Sequence, residues 1–234
     1  MRDFLLTTPY YVGIPLILWI ICMGLFFFGF ILFLIEAKKS ELKSQKMINK
    51  AYGIFLLCMG LTRIFFILGV YFYLPTLCDD CYDFYTTLGY ISAIAGVAFW
   101  LYVAETHLIH KTKKLFTILS IILLALSLIV LFGIIFPDLA IIDRDLSLEL
   151  QTYLMPVAVG ILGILYIYLV IKTTGTVRKK IFWVIVGLLM IAAAQILDGE
   201  GFITSLPNFP LEIAPLIMIT GLILFISSQI FYKG

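Results

Sequence analysis

Seven stretches of this chain are apolar over about the length a helix needs to cross a bilayer, roughly 20 residues. They run Val12–Ile35, Ala51–Leu74, Thr87–Leu108, Leu115–Phe136, Tyr153–Ile171, Ile181–Leu197 and Leu211–Tyr232, the fifth and sixth being the shortest. The connections are too short to hold a second soluble domain. In lipid, backbone groups must then be satisfied within the segments, which requires helices. No segment alternates apolar and polar residues at period two, which excludes a β-barrel. The expectation is all-α: a polytopic membrane protein, one seven-transmembrane-helix bundle over residues 1–234, multi-pass in the cell membrane. Composition agrees, with 63% apolar and 13% charged residues, against about 25% charged in soluble domains. The N-terminus, MRDFLLTTPY, lacks a basic region followed by a small-residue cleavage site, so the first helix is expected to insert uncleaved.

Lysine placement sets the expected orientation. The first connection, EAKKSELKSQKMINK, holds five lysines; the third, HLIHKTKK, holds three; the fifth, KTTGTVRKK, holds four basic residues; Lys233 ends the chain. The opposite connections carry Asp79, Asp80 and Asp83, then Asp138, Asp143, Asp145 and Glu149. The positive-inside rule places the N-terminus outside and the C-terminus inside. Tyrosines at 10, 11, 71, 73, 82, 85, 90 and 153 gather near the outer ends, with Trp100, Trp183 and Tyr232 toward the inner ends, as an aromatic belt would. Pro15 and Pro156 sit alike in the first and fifth segments, and Leu74-Pro75 matches Leu206-Pro207 after the second and sixth. That similarity suggests a 3+1+3 parallel repeat with the fourth helix as linker.

One residue stands out against this background. Arg63 lies within Ala51–Leu74, roughly 20 Å from the Lys50 end at 1.5 Å per residue. A mid-membrane arginine costs at least about 2.5 kcal/mol and does not lose its proton. It therefore needs acceptors on other helices or in a wet cavity. Asp198 is the acid expected at a matching depth, and Arg63, Gln195, Asp198 and Glu200 are expected to line a polar pocket open to the outside. The competing reading is an arginine that snorkels or an inert inter-helix pair.

Other polar groups carry weaker signals. Glu105, His107 and His110 cluster at an inner helix end, too few ligands for a metal site. Cys78-Asp-Asp-Cys81 is open to three readings: a disulfide, a redox couple or half a metal site. Cys22 and Cys58 read as small apolar helix residues. The last segment lacks a mid-helix lysine, which excludes a retinal Schiff base. No constellation suggests an enzyme, a metal, a cofactor or a nucleic-acid partner.

The run TTGTVRKKIFWVIVGLLMI followed by APLIMITGLILF resembles the seven-helix membrane regions of uncharacterised archaeal proteins and of archaeal sensor kinases. The resemblance is one of pattern over the whole span and assigns no residue roles. The expected function is a membrane sensor or receptor-like module signalling through a cytoplasmic partner protein. The alternative is a small-solute or ion transporter built from two three-helix repeats.

Overall fold

The computed structural model describes residues 13–76, 79–109, 112–136, 144–198, 202 and 209–231, without the side chains of 71–76, 79–80, 144–156 and 229–231. The described residues form seven main helices: α1 Ile14–Lys39, α2 Lys43–Thr76, α3 Asp79–His107, α4 Leu115–Ile135, α5 Arg144–Lys172, α6 Gly175–Leu197 and α7 Ile213–Phe231. Five contain spans long and apolar enough to cross a membrane: Ile14–Lys39, Lys43–Val70, Cys81–His107, Leu115–Ile135 and Gly175–Leu197. Two shorter apolar stretches, Val157–Lys172 and Ile213–Ser228, lie in α5 and α7.

Several helices run well past their apolar stretches. α2 begins eight residues before Ala51, and α3 eight residues before Thr87. Hydropathy marks only the part suited to oil, whereas a helix continues wherever its backbone bonds are made. The extension of α2, KSQKMINK, is rich in residues that tolerate helix well.

The chain divides into two compact units. The first comprises residues up to Leu25 and from Ile161 onward; the second runs from Phe26 to Gly160. In the first unit α6 and α7 cross at paired glycines. A Cβ on Gly187 would lie 2.8 Å from the Gly221 carbonyl oxygen, and one on Gly221 would lie 2.9 Å from that of Gly187. Only hydrogen in place of a side chain lets the two backbones approach this closely. In the same unit the Cys22 thiol donates to the Pro215 carbonyl at 3.5 Å.

In the second unit α2 packs on both α1 and α3. Gly53 and Gly60 accept Phe26, Phe27, Phe30 and Phe33 of α1. Gly89 and Gly96 of α3 accept Phe66 and Cys58 of α2. By contrast, a Cβ on Gly160 or Gly163 of α5 would meet nothing within 4 Å among the described residues.

The second unit also shows how α4 divides its polar and apolar faces. In α4 the buried residues are Thr117, Ser120, Ser127 and Val130, while Ile118, Ile121, Ile122, Leu128, Ile129 and Phe132 are exposed. Ser120 and Ser127 donate to the carbonyls of Thr117 and Leu123, so their hydroxyls are satisfied within the helix. A helix that hides hydroxyls and displays isoleucine inverts the soluble pattern.

Trp100 departs from its expected role as an interfacial anchor. It is 1% exposed and forms edge-on contacts with Tyr52 at 5.0 Å and Phe55 at 4.7 Å. Phe33 extends the cluster onto Tyr52. The ring's large apolar area outweighs interfacial placement when three helices can enclose it. Trp183 remains partly exposed.

Candidate functional site

Arg63 is 1% exposed and is among the largest fully buried side chains. It lies on the α2 stripe of buried residues Tyr52, Leu56, Met59, Arg63 and Val70, spaced three, four or seven apart as one helix face requires. Its guanidinium carbon is 5.6 Å from the centre of the Phe66 ring, within cation–π range.

The neighbouring α3 face is polar where Arg63 approaches its level. Thr62 Oγ1 donates to the Gly89 carbonyl at 3.0 Å and to the Cys58 carbonyl at 2.9 Å. Ser92 Oγ donates to the same Cys58 carbonyl at 2.9 Å. Phe66 meets Tyr90 edge-on at 5.3 Å. At the far end Gly69 abuts Tyr82, Tyr85 and Thr86. These contacts fix an antiparallel register in which residue 62 is level with 89 and residue 69 with about 84.

That register brings in a residue missed by the sequence reading. Asp83, expected in an acidic loop, is helical and 5% exposed. One turn further, Thr87 is fully buried. Both fall on the α3 stripe that continues through Ile94, Val97 and Leu101. Asp83 sits about six residues above Arg63, or about 9 Å along the helix axes. The signal lay in the four-residue spacing of Asp83 and Thr87, hidden because hydropathy starts the helix too late.

Gln195, Asp198 and Glu200 are the other residues expected at the pocket. Gln195 and Asp198 belong to the first unit and are half-buried. Asp198 caps the C-terminus of α6, its backbone N–H bonding to the Ala194 carbonyl. Glu200 lies outside the described residues. Cys81 is disulfide-bonded, Cys78 lies outside the described residues, and Cys22 and Cys58 are free thiols. Cys81 lines a cavity of about 310 Å³ with Phe84, Tyr85, Ile134 and Ile135.

Glu105 does something other than join a histidine cluster. It is 2% exposed, and its carboxylate accepts from the Thr117 backbone at 2.7 Å, the Thr117 hydroxyl at 2.6 Å and the Phe116 backbone at 3.2 Å. Helix N-termini leave their first amides without intrahelical acceptors, and a carboxylate there is favoured by the helix dipole. Glu105 on α3 therefore caps α4 from outside, while Lys114 at the N-cap makes no side-chain cap bond. Among the described residues no group of three His, Cys, Asp or Glu could hold a metal ion. His110 lies outside the described residues.

The chain matches no protein-family model, no curated protein and no solved structure.

Proposed function

We propose that the chain is a sensor or receptor-like module of the cell membrane, with its N-terminus outside and its C-terminus inside. Its responsive element is the polar face of the α2–α3 hairpin around Arg63. The observation that carries this is a fully buried arginine inside a helix apolar enough to span a bilayer. Such charges usually mark ligand or ion pathways. Arginine presents a rigid donor fork suited to carboxylates and phosphates. A small anion entering beside Arg63 would compete with Asp83 for the guanidinium, shift α3 against α2, and pass that shift to a cytoplasmic partner through the lysine-rich end.

The test is thermal stability of the purified protein across anions, carboxylates, cations and lipids, for wild type and Arg63→Gln. A ligand at 100 times its dissociation constant adds about 2.7 kcal/mol. The expected result is one anion class that stabilises wild type and not the variant. If nothing stabilises wild type and Arg63→Gln merely melts early, Arg63 is structural and the sensor reading fails.

The transporter alternative draws on one specific likeness. The α2–α3 and α6–α7 hairpins are each closed by glycines at their crossing, as a 3+1+3 repeat would have it. Ligand-driven uptake into liposomes would favour it over a sensor.

A further inference from the structure

We propose that the lysine-rich end of the second unit is a binding surface for the phosphate-bearing headgroups of anionic lipids. Lys38 and Lys39 close α1, and Lys43, Lys46 and Lys50 open α2. The packing of Trp100 on Tyr52 and Phe55 puts the end of α3 level with the start of α2. The α3–α4 turn therefore adds exposed Lys113 and Lys114 at the same end.

Little opposes this charge. Glu36 is engaged by Lys39 at 3.6 Å. Glu105 is buried against the amides of α4. Glu41 is the one exposed acid of the α1–α2 elbow. His107 stands at the end of α3.

The lysines are presented by an ordered backbone. Asn49, 5% exposed, donates through Nδ2 to Ser40 Oγ at 3.1 Å, and Ser40 Oγ donates to the Glu36 carbonyl at 2.7 Å. This chain braces the elbow across both helices. At the other turn, Lys113 and Lys114 take positive φ values of 48° and 65°, a conformation rare for side-chain-bearing residues. The Glu105 cap on the following helix holds that turn in place.

Height selects the lipid headgroup as the occupant. The apolar part of α2 starts at Ala51, so Lys50, Lys46 and Lys43 lie about 2, 8 and 12 Å beyond it along the axis. Lys38 and Lys39 lie about 5 Å past Ile35, where the first apolar stretch ends. The headgroup layer is roughly 5–7 Å deep on each side, and lysine stems bend back toward it. Their ammonium groups thus span the phosphate level, where juxtamembrane lysines attract anionic lipid. An acidic protein would have to reach into the headgroup layer to meet Lys38, Lys39 and Lys50.

The test places the full chain in phosphatidylcholine nanodiscs, with and without phosphatidylglycerol, and follows thermal melting. The expected result is a rise of several degrees with phosphatidylglycerol that fades as salt is added. The rise should fall by at least half in Lys43→Gln/Lys46→Gln and in Lys113→Gln/Lys114→Gln, and return in Lys43→Arg/Lys46→Arg. Equal melting of the variants and wild type in pure phosphatidylcholine confirms that they fold. An equal gain from soluble glycerol phosphate, a gain from polyglutamate in place of phosphatidylglycerol, or a full gain in the glutamine variants would overturn the proposal. A chain that fails to enter the discs overturns the bilayer reading and this one with it. A chain that enters but ignores the headgroup overturns this one alone.

Discussion

At the residue scale, two buried ionic groups have opposite standing in the sequence. Arg63 announces itself, because nothing else in Ala51–Leu74 is charged. Asp83 is hidden in the run CDDCYDF, where three acids look alike, and packing is what buries it. Charge reversal decides which acid faces Arg63. Arg63→Asp with Asp83→Arg is expected to recover folded yield lost by either single change. Recovery by Arg63→Asp with Asp198→Arg instead would identify Asp198 as the partner. Glu105 invites a separate prediction. Glu105→Ala removes the acceptor of two backbone amides and one hydroxyl, and buried donors left unmet cost about 1–3 kcal/mol each. The variant is expected to melt several degrees lower, with hydrogen exchange rising first in the opening turn of α4. Unchanged exchange there would show that water replaces the cap.

At the element scale, glycines decide how closely helices approach. Gly187→Ala drives a methyl against the Gly221 carbonyl and the Phe225 backbone, neither of which can rotate away. Overpacking of this kind costs about 1–3 kcal/mol. Gly160→Ala meets nothing within 4 Å and replaces a poor helix former, so it should gain about 0.5–1 kcal/mol. Melting of the two variants side by side checks both. Gly160-x-x-Gly163 has a spacing that allows close helix packing, yet a Cβ at either glycine meets nothing within 4 Å among the described residues. Gly187 and Gly221 are 34 residues apart, and no periodicity links them. The same limit applies to α4, whose apolar run was legible but whose buried hydroxyl face was not. A serine in a greasy helix gives no sign of its direction until neighbours cover one side.

At the scale of the whole molecule, orientation is the testable claim. With native cysteines replaced, a single cysteine at Lys39 should react with an impermeant maleimide only after the cell is opened. One at Phe136, at the far end of α4, should react in intact cells. Swapped reactivity would invert the topology. The sequence alone determined that the chain is helical, since seven apolar runs with short connections and no period-two alternation favour helices, and five of the helices contain spans long and apolar enough to cross a membrane. It also located every main helix, misjudging chiefly where the polar ends begin. The tertiary structure alone decided which polar groups are buried and what they meet: Asp83 inside α3, Trp100 in the core, Glu105 on the amides of α4. Hydropathy is a sum along the chain, and each of these outcomes depends on which neighbouring helix covers a particular face.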